Sequence, residues 1–139
     1  MQEGGFLNRE LSRSIARMGH QDELIVSDAG LAIPEGVDTV DLALTENKPR
    51  VPEVLAVLKR NFSIEKVVIA EETLKHSPSM FKEIRDVLGA ELPLETIPHS
   101  AFKARSRNAK LVIRTGDFTA YANVLLISGG GDRWFTETA

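Results

Sequence analysis

An α/β fold, three layers deep with helices on both faces of a mostly parallel six-stranded sheet, is what this chain predicts. Two observations carry that expectation. Short runs of β-branched and aliphatic residues alternate with helical stretches, and those runs are too uniformly apolar to face water on either side. Length agrees: 139 residues, 42% hydrophobic and 27% charged, suit one globular domain (residues 1–139) with a single core.

The elements follow in order. Asn8 reads as an N-cap, with Leu7 just outside it, and Leu11, Ile15 and Met18 recur at spacings of four and three until Gly19. Leu24-Ile25-Val26 is a compact strand. Pro34-Glu35-Gly36 turns the chain before a second strand at residues 39–44. Pro52 suits the first turn of a helix whose Val54, Leu55, Leu58 and Phe62 form one stripe, and residues 66–70 follow as a buried strand. Ser77 and Pro78 open a helix through Met80, Phe81, Ile84, Val87 and Leu88 that ends at Gly89, and Leu94–Ile97 is a strand. Ser100 is expected to cap a short helix containing Phe102. Residues 110–114 and 122–127 are the last strands, and the polar turn at Thr115-Gly116-Asp117 between them is too short for a crossover helix, so these two are expected to pair antiparallel. The sum is six strands and about four helices, with residues 129–139 as a polar tail after the glycine triplet Gly129-Gly130-Gly131.

Composition excludes several classes of function. Net charge is −3, and Lys and Arg are spread along the chain, which argues against a nucleic-acid partner. There is no cysteine, hence no disulfide framework and no thiolate metal site, in keeping with a reducing compartment. The start, Met1-Gln2-Glu3-Gly4-Gly5, lacks the features of a signal peptide, and no apolar stretch approaches the ~20 residues that span a bilayer. A cytoplasmic protein without membrane contact is the expectation.

Acid–base chemistry is the class left open. His20 and Asp28 flank the first strand, and imidazole, with an unperturbed pKa of about 6.5, exchanges protons near neutrality unaided. In folds of this class ligands gather beyond the carboxyl ends of strands, here near Asp28, Glu71, His99 and Thr115. Each residue also has a plainer reading. His20 could cap the first helix, Asp28-Ala29-Gly30 could be an Asx turn with glycine at positive φ, and His76 reads as a surface residue. Tyr121 and Asn123 offer a hydroxyl and an amide, although a buried tyrosine needs such a partner in any case. Glu71 and Glu72 with Asp28 and Asp41 could be drawn as a magnesium site, but paired glutamates after a strand usually face solvent. The glycine triplet superficially resembles a phosphate cradle, yet only eight residues follow it, too few for the helix such a loop must lead into.

Taken together, Gly5-Phe6-Leu7-Asn8, Gly19-His20-Gln21-Asp22, the run Asp28 to Pro34, Ala70-Glu71-Glu72, His99 with Phe102-Lys103, Ile113-Arg114-Thr115-Gly116 and Tyr121-Ala122-Asn123-Val124 resemble the ribose pyranase and fucose mutarotase family, the ribose branch most closely. The match is colinear from about residue 5 to residue 128. It implies an enzyme that interconverts the pyranose and furanose forms of D-ribose without a cofactor or metal, as a cytoplasmic homo-oligomer built from pentameric rings, singly or as a decamer. It also implies His20 as proton donor, with Asp28, His99 and Tyr121-Ala122-Asn123 contacting the sugar. The chain departs from the family pattern at Ala32, where proline is usual, at His76-Ser77, where His-Asn is usual, and in its tail.

Such a reaction opens a hemiacetal and recloses it through another hydroxyl, so each step takes one proton off oxygen and puts another on. A positioned acid or base typically contributes ~10²–10⁴-fold. His20 suits the acid role, and Asp28 or His99 the second proton or a hydroxyl contact. One geometric tension stands out: an extended strand rises ~3.3 Å per residue, so His20 and Asp28 should lie ~25 Å apart, too far to share one sugar. A pocket between neighbouring chains would resolve it, as would a sharp turn at Gln21-Asp22. L-fucose mutarotation, a sugar-binding module without turnover and a carboxylate-based magnesium hydrolase are the alternatives.

Overall fold

The computed structural model describes residues 1–138. Eleven elements follow one another: α1 (Arg9–Ala16), β1 (Glu23–Ser27), β2 (Thr39–Asp41), α2 (Val51–Asn61), β3 (Ile64–Ala70), α3 (Glu71–His76), α4 (Pro78–Leu88), β4 (Leu94–Ile97), α5 (His99–Ser106), β5 (Leu111–Arg114) and β6 (Val124–Ser128). All six strands form one sheet in the order β2-β5-β1-β6-β3-β4. The α/β class stands, but the expectation of a mostly parallel sheet is corrected. β6 runs antiparallel to both of its neighbours, β1 and β3, while β1 with β5, β2 with β5 and β3 with β4 are parallel, so the sheet is mixed.

The expected pairing of the last two strands is also corrected. β1 lies between β5 and β6. Residues 115–123 therefore cannot form a hairpin; they cross the carboxyl end of β1 before β6 returns. Hydrophobic periodicity reports which residues are buried and carries no information on strand order, which is why this crossing was invisible in the sequence. The remaining five strands point the same way, and their carboxyl ends open on one edge.

Alternation along the strands divides the core in two. Leu24, Val26, Val67, Ile69, Leu111, Ile113, Val124 and Leu126 face α1, α2 and α4, meeting Leu11, Leu55, Leu58, Ile84 and Leu88. Ile25, Val68, Val112 and Leu125 face the other way and meet Phe102 of α5 and the partly buried Leu31, Ile33 and Val37. Helices thus cover both faces. Asn8 caps α1 as expected, its Oδ1 accepting the Leu11 N–H at 2.9 Å.

Other boundaries differ from the sequence reading. β2 stops at Asp41. A fifth helix, α3, occupies the residues read as a solvent-facing glutamate pair. Ser77 makes no capping bond to α4, because its hydroxyl donates to the Ala120 carbonyl at 2.7 Å. α5 begins at His99 with Pro98 before it, so Ser100 is not its cap. Among the described residues no helix is long and apolar enough to cross a membrane.

Candidate active site

The crossing of residues 115–123 over the end of β1 builds a cavity of about 570 Å³ at the carboxyl edge, lined among others by Asp28, His99, Lys103, Arg114, Tyr121 and Asn123. Four of the residues anticipated for the site, Asp28, His99, Tyr121 and Asn123, are brought together there. A larger hollow of about 780 Å³ lies beside it, between the Ala32–Glu35 turn and α5; it offers no histidine or aspartate.

Asp28 is the best-held group. It is only 9% exposed. Its backbone N–H donates to Asn123 Oδ1 at 2.9 Å, its Oδ2 accepts from Asn123 Nδ2 at 3.3 Å, and its Oδ1 accepts the Gly30 N–H at 3.0 Å. The Asx turn is therefore present, although Gly30 does not take the positive φ expected of it. Burial pushes the Asp28 carboxyl above the ordinary carboxylate range, against the opposing hydrogen bonds from Gly30, Leu31 and Asn123, and the charge of Asp117 adds to the rise.

Asp117 is fully buried, a role the sequence did not announce, since Thr115-Gly116-Asp117 read as a polar turn. Its Oδ2 accepts the Val51 N–H of α2 at 2.9 Å, its Oδ1 accepts the Thr119 N–H at 2.9 Å, and its carbonyl accepts the Ala29 N–H at 2.8 Å. One residue thus ties a helix start, the crossing segment and the Asp28 loop together. Arg114 clamps the same loop from the other side: Nε and Nη2 donate to the Ala29 carbonyl at 3.2 and 3.1 Å, and Nη1 donates to both Asp41 oxygens. Gly116 must be glycine, because a Cβ there would collide with the carbonyl oxygens of Thr45 and Lys48.

His99 and Tyr121 form the aromatic wall. Their rings meet edge to face at 5.0 Å, and Phe102 stacks beyond His99 at 6.5 Å. The His99 backbone N–H donates to both Glu72 oxygens, at 3.0 and 3.2 Å, so Glu72 is a partner of the site and not simply a solvated charge. His99 Nδ1 is buried without a hydrogen-bond partner among the described residues. Tyr121 adopts φ +61°, and its carbonyl accepts the Thr73 hydroxyl at 2.6 Å. His76 is exposed, as read, yet it stacks on Tyr121 at 5.7 Å. Ala122 is fully buried with its methyl in the core and its N–H on the Thr119 carbonyl, which leaves only its own carbonyl to offer.

His20 lies elsewhere. It stands at the amino end of β1, on the opposite edge of the sheet, where its Nε2 meets Glu65 Oε1 at 3.1 Å and its side chain is 39% exposed. It does not cap α1, which ends at Ala16. A turn does form here, with Gln21 at φ +70°, but it leaves His20 away from Asp28; the extended β1 alone separates the two ends by roughly 13 Å. The four carboxylates of the magnesium reading also do not converge. Asp41 pairs with Arg114 and Glu72 with His99, and no group of three or more metal-binding side chains occurs among the described residues.

The pocket at the carboxyl edge of this mixed sheet is lined by a buried carboxyl, an imidazole, a phenol and an amide, groups able to donate and accept hydrogen bonds. The chain matches the model of the RbsD / FucU transport protein family over residues 1–130, and it belongs to that family. It is 43% identical over 129 residues to the D-ribose pyranase of Pseudothermotoga lettingae, covering 93% of this chain and 92% of that one. Its fold is similar to the solved structure of Bacillus subtilis RbsD complexed with D-ribose, with a TM-score of 0.88, 37% identity, and 93% and 98% of the two chains covered. The fucose mutarotase of Streptococcus pneumoniae, solved with L-fucose, shares the fold at TM-score 0.76 and 19% identity, over 88% of this chain and 93% of that one.

Proposed function

We propose that this protein is a D-ribose pyranase, an isomerase that opens the hemiacetal ring of D-ribose and recloses it, interconverting pyranose and furanose as ribose enters catabolism. The observation that carries this reading is the joint one of family and pocket: a relative 37% identical holds D-ribose, and here a cavity of sugar-compatible chemistry gathers Asp28, His99, Tyr121 and Asn123.

Ring opening removes the proton of the anomeric hydroxyl, breaks the bond from the anomeric carbon to the ring oxygen and protonates that oxygen; after rotation the aldehyde is attacked by a different hydroxyl and the protons return. His20 is the donor to the ring oxygen. The Asp28 carboxyl, raised by burial, holds its proton more tightly than an exposed aspartate and suits exchange with a sugar hydroxyl. His99, through its unpartnered Nδ1, and the Tyr121 hydroxyl bind and orient hydroxyls. Asn123 uses most of its hydrogen-bonding capacity to hold Asp28, so its part is orientation of that carboxyl together with contact to the sugar. The Ala122 contact runs through its carbonyl.

His20 and the cavity occupy opposite edges of one chain, so a complete site takes the histidine from a neighbouring copy in a homo-oligomer. Work in the cytoplasm follows from the same reading.

The test is saturation-transfer NMR of ribose, following pyranose-to-furanose exchange with and without protein, with L-fucose run alongside. His20→Ala is expected to lower exchange by about 10²-fold or more with the fold intact. Full activity in that variant removes His20 from the mechanism, and ribose binding without faster exchange leaves a binding module.

A further inference from the structure

The tail from Gly129 onward does something specific in this chain. Each of its three glycines has a separate geometric reason. Gly129 donates its N–H to the Ser63 carbonyl at 2.9 Å, and a Cβ on it would stand 2.8 Å from Ser63 Oγ. A Cβ on Gly130 would stand 2.6 Å from Cγ of Trp134, and Gly131 takes φ +84°. Trp134 then closes the turn, its N–H donating to the Gly131 carbonyl at 3.2 Å. The indole is thereby folded back to a centroid distance of 6.1 Å from the imidazole of His20, at an interplanar angle of 53°. Glu65 holds the same imidazole through Nε2 at 3.1 Å.

We propose that Trp134 is a positioning residue for His20, and that Glu65 and the indole together seat the imidazole. A half-exposed histidine with two free torsions needs such contacts to favour one rotamer. The glycine triplet, which leads into no helix among the described residues, is the turn that delivers the indole. The proposal rests on His20 being the proton donor.

The contact can be read without activity. Trp134 is the only tryptophan of the chain, so its emission reports its surroundings directly. Protonated imidazole quenches indole and neutral imidazole does not, so emission of the native protein is expected to fall on acidification. Glu65, facing the imidazole, Asp22 in the same turn with its partner Lys110, and Asp132 and Arg133 on the tail are charged groups of this region. In His20→Gln the fall is expected to vanish; a fall that persists there belongs to a carboxyl and overturns the contact.

The role is read by exchange. In ribose-exchange NMR over a range of sugar concentrations, Trp134→Ala is expected to lower kcat about tenfold with KM little changed, and Trp134→Phe to recover most of the loss. Gly130→Ala, which keeps the indole but displaces it, should reproduce the alanine effect should Trp134→Ala fold poorly. A normal kcat in both Trp134→Ala and Gly130→Ala, with His20→Ala inactive, overturns the role of Trp134 and leaves the histidine in place. Full exchange in His20→Ala overturns both.

Discussion

At the residue scale, the decisive group is Asp28, a carboxyl taken out of water and then given three hydrogen bonds that do not restore its ordinary acidity. The folded state holds its proton more tightly than the unfolded state does. Its contribution to stability is therefore fully present below the unfolded value of about 3.8 and is lost as pH rises through the raised folded value. Asp28→Asn removes that loss. The urea midpoint of the variant is expected to gain on that of the native protein as pH rises above about 4, and a difference that stays flat contradicts the raised carboxyl. The same substitution should slow exchange, since an amide neither releases nor takes up a proton near neutrality.

At the scale of elements, α5 positions one wall of the cavity with a thin anchor. Only Phe102 and Ser106 of its eight residues are buried, while His99 stands at its first position. Phe102→Ala is expected to cost about 3–5 kcal/mol in a denaturant titration, and to loosen His99 enough to raise KM for ribose. A loss below about 1 kcal/mol would mean that the Glu72 contact, and not the phenylalanine, holds the helix.

What could be read from residues alone divides along the same line. The strands at Leu24, Val67 and Leu111 and the helices at Val54 and Ile84 were legible, because a buried strand and an amphipathic helix leave a local pattern. Asp28, His99, Tyr121 and Asn123 were legible as polar groups beside apolar runs, the last two with help from the family likeness. Asp117 and Arg114 were not. Their importance arises from segments far apart in sequence, Val51, Ala29 and Asp41, converging on the crossing. Nor was α3, whose six residues are too few for a periodicity to show.

At the scale of the whole molecule, the two ends of β1 present different chemistry to the outside. A single copy displays a sugar-compatible cavity on one edge and an exposed imidazole on the other. Exchange is therefore expected to require assembly. Measured across a dilution series alongside sedimentation, activity per chain should fall together with the oligomer, by about 10²-fold in the monomer. A fully active monomer would mean that His20 has no part in the chemistry or reaches the cavity by a rearrangement of the Gly19–Asp22 turn.

The lone reversed strand has a practical side. Because β6 travels against the other five, it releases the polypeptide beside the histidine and far from the cavity. A dye, affinity handle or partner protein fused downstream of Trp134 is carried on the edge that bears that imidazole, so a kinetic survey of such fusions should include an untagged control.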